Sequence, residues 1–188
     1  MFVIEFGPIG VFFIVYHFSD FMWAALSLGV STLIALILSQ VINKRIPWFA
    51  IFSGSITIFT ALLTFLFTAP WILIAQDSVY YFLFALLLGV SMWKNLGLFR
   101  SFFGHIFAIA FEGWNVLEQR WFVFFILAGL SNEFVRVFLS TDEWVTYKQV
   151  IVLLFLIFGL YQFRISSKYR LEEADRLGLR KHTSVTTI

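Results

Sequence analysis

The chain has 188 residues, of which 61% are hydrophobic, 21% aromatic and only 13% charged, and its mean hydropathy is +0.91; a soluble core of this length has no room for so much apolar surface. The absence of Cys excludes disulfides, thiol catalysis and Cys-based zinc or iron–sulfur sites. A net charge of +2 suits nucleic acid only when the cations cluster, and the 13 Lys and Arg are instead scattered at the ends of apolar segments, so the partner expected from composition is the lipid bilayer and no nucleic acid.

The first apolar segment, Phe6 to Phe18, is thirteen residues long. As a helix it reaches ~20 Å, about two-thirds of a ~30 Å hydrocarbon layer, and Gly7, Pro8 and Gly10 loosen its first turn. It reads as a half-span or interfacial helix over 6–18, with a full span that thins the bilayer as the alternative; the side of the N-terminus stays open. A cleaved signal peptide is not expected, because no basic region precedes the apolar run and no small-residue cleavage site follows it. His17 and Asp20 share one helical face at i, i+3, a spacing for a proton or a metal. Two donors alone make a poor metal site, so packing or interfacial anchoring is expected, and no metal.

Phe21 to Asn43 carries no charge and meets the length of about 20 apolar residues that a spanning helix needs. The stretch NKRIP, Asn43 to Pro47, ends span one with two cations and a proline, and span two follows over 48–67. TAPWILIAQDS has no Lys or Arg and one acid, and reads as an outer connection carrying Gln76 and Asp77. Span three covers 78–98, with Lys94 snorkelling. From 99 to 118 apolar residues recur at three- and four-residue steps (Phe99, Phe102, Phe103, Ile106, Phe107, Ala110, Trp114, Leu117), with His105 and Glu112 between them. This predicts an amphipathic helix in the interface, weakened by Gly104 and Gly113. Spans four, 121–139, and five, 145–163, are joined by the polar turn STDE, Ser140 to Glu143, as an antiparallel hairpin. The tail, 166–188, is charged in both signs, and Glu172 and Arg176 at i, i+4 predict a short solvated helix. The fold class is therefore an all-α membrane protein: about five transmembrane helices, a half-span and an interfacial helix in one polytopic domain, 1–165, followed by the tail.

Alternating five spans places Lys44, Arg45, Lys94, Arg100, Arg120, Arg164, Lys168, Arg170, Arg176, Arg180 and Lys181 on one side and only Arg136 and Lys148 near the other, eleven cations against two. The rich side, with the C-terminus, is expected to be cytoplasmic. Trp48, Trp71, Trp93, Trp121 and Trp144 fall near span ends, as interfacial anchors do. Glu112 and Glu118 flank Trp114 and read as a solvated face at headgroup level.

The sharpest anomaly is SNEFVRVF in span four. Counting from Trp121 at 1.5 Å per residue, Glu133 lies ~18 Å and Arg136 ~22 Å along the axis, in the outer half of the hydrocarbon or at its edge. Folding spans four and five about Ser140 to Glu143 brings Lys148 to roughly the depth of Arg136. Glu133 can pair with Arg136 at i, i+3, with Lys148 across the hairpin, or with both. Asn132, Glu133, Arg136 and Lys148 thus form a candidate intramembrane polar cluster, either a structural neutralisation with Asn132 hydrogen-bonding between helices or a ligand or ion site. No HExxH, P-loop, GxSxG or dinucleotide fingerprint occurs, so neither an enzyme nor a cofactor is expected.

Four stretches in order, FGPIGVFFIVYHFSD, FLFALLLGVSMW, EGWNVLEQRWFVFFILAGLSNEFV and STDEWVTYK, resemble the YciB family of Gram-negative inner-membrane proteins, also called intracellular septation protein A. Matching positions include Pro8, Tyr16, Asp20, Trp114, Trp121, Asn132, Trp144 and Lys148. With His17, the first three make a candidate N-terminal motif. The resemblance implies a five-span inner-membrane protein associated with envelope biogenesis, envelope integrity and septation, in contact with cell-division and cell-wall synthesis membrane proteins. It brings no catalytic residues with it. The chain departs from the family before span three, where ILIAQDS replaces a Lys-rich FIKxKPT-like stretch, which argues against an anionic ligand at that point. The first functional reading is a non-enzymatic scaffold, packing through Phe-rich surfaces and Gly54, Gly89 and Gly129, with homo-oligomerisation open. The alternative is a small transporter, channel or lipid-handling protein.

Overall fold

The computed structural model describes residues 2–43 and 48–181, with side chains described at 7–41, 51 and 54–181. Lys44, Arg45 and Pro47 of the NKRIP stretch, the side chain of Trp48, and the tail from His182 onward lie outside the described residues. Within them the chain is all-helical: α1 (Phe2–Phe18), α2 (Phe21–Asn43), α3 (Trp48–Phe67), α4 (Pro70–Lys94), α5 (Leu98–Phe103), α6 (Phe111–Phe138) and α7 (Thr141–Lys168). In hydrocarbon an apolar run has no water for its backbone groups, and a helix satisfies them internally. Among the described residues α2, α4, α6 and α7 are long and apolar enough to cross a membrane, and α1 and the described part of α3 are shorter apolar helices.

Local chemistry sets the helix starts. Asp20 caps α2, its carboxylate accepting the Trp23 N–H at 3.0 Å. Pro70 occupies the first position of α4, where its missing N–H costs nothing, behind a turn with Thr68 at φ 50°. The STDE turn is a reciprocal cap: Glu143 accepts the Ser140 N–H at 2.8 Å, and the Ser140 hydroxyl accepts the Glu143 N–H at 3.3 Å.

Three expectations are corrected. Gln76 and Asp77 lie in the second turn of α4 rather than in an outer connection, because a proline that can open a helix was read as part of a loop. The expected interfacial helix 99–118 is divided: α5 ends at Phe103, a turn covers 104–106, 107–110 is extended, and the helix that resumes at Phe111 is continuous with span four. The expected tail helix does not form over 169–181; those residues pair instead with the extended stretch.

The chain divides into two compact units, Met1–Ser78 with Asn132–Trp144, and Val79–Ser131 with Val145–Ile188. In the first, α1 packs on α2 and α2 on α3. The Gly29 Cα side faces Ala61, which a Cβ would meet at 3.1 Å, so α2 and α3 approach closely through small residues. In the second, Trp121, Phe124, Phe125, Phe155 and Phe158 form a ring cluster, with Phe124 stacked on Phe158 at 4.3 Å. Gly89 and Gly129 leave room there for Phe122 and Phe82.

The second unit also holds a backbone clasp. Segment 106–110 is paired on both sides: Ala108 donates to the Gly178 carbonyl and accepts from the Leu171 N–H, each at 2.9 Å, while Ala110 donates to Tyr169 and Arg180 donates to Ile106, each at 2.8 Å. Asp175 folds the returning turn by accepting the Leu177 and Leu179 N–H groups at 2.8 and 2.9 Å. Gly178 there has φ 84°, and a Cβ on it would lie 2.6 Å from the Ser166 carbonyl oxygen.

Candidate functional site

The candidate cluster assembles in the first unit around Asn132, which is fully buried. Its amide nitrogen donates to the Ile74 carbonyl at 3.0 Å and to the Ser78 hydroxyl at 2.8 Å. Its oxygen accepts the Trp144 indole N–H at 2.9 Å. One side chain from α6 therefore ties the second and third turns of α4 to the first turn of α7 with both of its donors and its acceptor used. One turn of sequence later, Arg136 donates to the same Glu133 oxygen through Nε at 2.9 Å and Nη2 at 2.5 Å. The i, i+3 pair on α6 is thus formed, about one-third exposed on each side chain. Glu133 also shares a hydrogen bond with Ser78, linking the ion pair to the amide network. Lys148 is half-buried on α7 and belongs to the second unit.

The N-terminal motif meets this cluster through aromatics. Trp144, read from sequence as an interfacial anchor, is 2% exposed, with Phe12 and Phe21 edge-on to its ring at 6.4 and 5.8 Å. Tyr16 stacks on Phe12 and donates its hydroxyl proton to the Asp142 carboxylate at 2.5 Å. Pro8 is buried inside α1. His17 is exposed and lies against Phe18, while Asp20 is consumed as the α2 cap. No group of three or more potential metal ligands occurs among the described residues.

A second polar contact joins α3 to α4 in the same unit. Gln76 donates to the Thr57 hydroxyl at 3.0 Å and accepts from Thr60. One turn further along α3, Thr64 is fully buried and its hydroxyl has no partner among the described residues. In the second unit Glu118, expected on a solvated face, is 3% exposed and accepts the Ser91 hydroxyl proton at 2.5 Å. The reason is that a helix running through 111–138 turns Glu118 onto the face of buried Trp114 and Leu117.

Sequence reasoning found Asn132, Glu133 and Arg136 but missed Ser78, the Ile74 carbonyl, Asp142 and the donor role of Trp144. The available signal was Pro70: starting α4 there puts Ile74 and Ser78 at i, i+4 on one face. As assembled, the cluster fastens helices.

A family model described as Intracellular septation protein A matches residues 1–173. The chain is 30% identical over 172 residues to the inner membrane-spanning protein YciB of Bradyrhizobium sp. (strain BTAi1), covering 91% of this chain and 86% of that one. It is 30% identical over 168 residues to the protein of the same name from Yersinia pestis (strain Pestoides F), covering 86% and 93%. No solved structure matches the chain.

Proposed function

The chain belongs to the intracellular septation protein A family of multi-pass inner-membrane proteins linked to septation, and on that premise we propose that it is a non-enzymatic scaffold that holds division and wall-synthesis membrane proteins together and so supports envelope integrity. The observation that carries this reading is the saturation of the polar cluster. Asn132, Trp144, Glu133 and Arg136 are engaged with one another or with Ser78 and Ile74, so the groups that looked most like a ligand site are used for packing. What stays available is surface: Phe18, Trp23, Phe134 and Phe138 are all more than half exposed in the first unit, as lipid-facing or partner-facing side chains are. The C-terminus is assigned to the cytoplasm on the cation asymmetry, and self-association belongs to the same reading.

The test is photo-crosslinking in cells from Phe18, Phe138 and Trp93, each replaced in turn by a photoreactive residue, with adducts identified by mass spectrometry. The scaffold reading expects discrete adducts to division or wall-synthesis proteins; adducts to lipid alone would remove it. A small transporter or channel draws its support from one feature, the unpartnered buried hydroxyl of Thr64 beside the Thr57–Thr60–Gln76 contact. Flux through liposomes that is abolished by Thr64→Val would put that reading first.

A further inference from the structure

At the cation-rich end of the second unit two guanidinium groups share one aromatic ring. The Arg120 guanidinium carbon, on α6, lies 5.3 Å from the centroid of Tyr161 on α7, and that of Arg164 lies 5.4 Å from the same centroid. Arg120 is held by a single neutral acceptor, Gln162 Oε1 at 3.3 Å, and neither arginine forms an ion pair among the described residues. A cation–π contact with a ring does not neutralise either charge. An anion held by both adds charge-assisted hydrogen bonds, and the planar fork of arginine matches a phosphate in particular.

The surroundings select the kind of anion. Tyr161 is half-exposed, and on the side of the helix middles Val123 and Leu127 of α6 and Ile157 and Leu160 of α7 are all exposed apolar side chains. A charged group seated on the arginines thus has an apolar surface beneath it of the kind that acyl chains cover. We infer that Arg120, Arg164 and Tyr161 form a site for one anionic phospholipid, its phosphate held by the guanidiniums and its chains along α6 and α7. The site is independent of the scaffold reading, since none of its residues belongs to the polar cluster.

The test is native mass spectrometry of the full chain in detergent, with phosphatidylglycerol and phosphatidylcholine of matched chains supplied in equal amount. Wild type is expected to retain phosphatidylglycerol at least about tenfold better, the effect of one charge-assisted hydrogen bond or more. Arg120→Gln with Arg164→Gln is expected to bring the two lipids within about twofold. Arg170→Gln with Arg176→Gln removes the same charge from the tail and is expected to leave the preference intact. Should the first pair fail to fold, Arg120→Lys with Arg164→Lys keeps the charge and loses the fork, and is expected to lower the preference several-fold. A preference that survives the site variants, or that falls equally in the tail control, overturns the site. So does binding of free glycerol phosphate as tightly as the lipid, or a second copy or another protein held through these arginines in its place.

Discussion

Asn132 shows how much a single buried amide determines. All of its hydrogen-bonding groups but one lone pair are used inside the first unit, so Asn132→Ala strands the Trp144 indole N–H and takes one bond each from the Ile74 carbonyl and the Ser78 hydroxyl. The expected cost is about 1–3 kcal/mol, read as a lower thermal midpoint in detergent. Trp144→Phe keeps most of the ring and loses the donor, at roughly 1 kcal/mol. Because the two substitutions remove the same bond, the double variant is expected to lose less than the sum; additive losses would show that the bond contributes nothing. Glu133→Ala leaves Arg136 without its carboxylate at membrane depth, and folded yield and function are expected to fall in parallel. Function lost from protein that still folds would make Glu133 part of a ligand site instead. At this scale the sequence exposed the expensive residues and hid their partners. Glu133, Arg136 and Asn132 stand out because polar groups in hydrocarbon are rare, whereas the acceptor for Asn132 is a backbone carbonyl, which every residue has, and Trp144 is equally at home as an anchor or as a buried donor.

Helices came out of the sequence well wherever the run was long and uncharged, as for α2 and for the cores of α6 and α7, because length against bilayer thickness is a direct physical test. Their ends did not. The start of α4 hinged on whether Pro70 opens a helix or a loop, a choice decided by neighbours distant in sequence. The reciprocal Ser140–Glu143 cap was visible as S-x-x-E and was read only as a polar turn. Least legible was the clasp. Glu172 and Arg176 have helical spacing, yet long-range backbone pairing with 106–110 outweighs that weak local preference of a few tenths of a kcal/mol. Gly178 is where the clasp is most sensitive: its positive φ and the Ser166 carbonyl against it leave no place for a side chain. Gly178→Ala is expected to speed amide exchange at Ala108, Leu171 and Arg180 by roughly tenfold or more while insertion is unchanged, since a left-handed alanine costs about 1–2 kcal/mol before the contact is counted. Unaltered protection would mean that the turn adapts.

For the whole molecule, the pairing of 106–110 with 169–180 places both segments on one side of the membrane, although α6 and α7 intervene. Both helices are long and apolar enough to cross a membrane, so they are expected to cross as a pair, with residues 140–143 emerging on the opposite side. The absence of Cys from the chain makes this easy to check. His105→Cys and Arg176→Cys are expected to resist a membrane-impermeant maleimide until the cytoplasm is opened, and Thr141→Cys is expected to react from outside. Reversed labelling would invert the molecule, and labelling of His105→Cys and Arg176→Cys from different sides would contradict the clasp itself. The clasp also imposes an order in time. When the ribosome has just made Ala110, neither Leu171 nor Gly178 exists, and at about 5–20 residues per second the backbone of Ala108 waits several seconds for both of its neighbours. Until Leu171 is made the Ala108 N–H and carbonyl lack both of their final partners, and unpaired backbone edges of this kind are prone to wrong pairing. Leu171 closes one edge of Ala108 and Gly178 the other, so both sides are paired only after the chain has been made through the Asp175 turn.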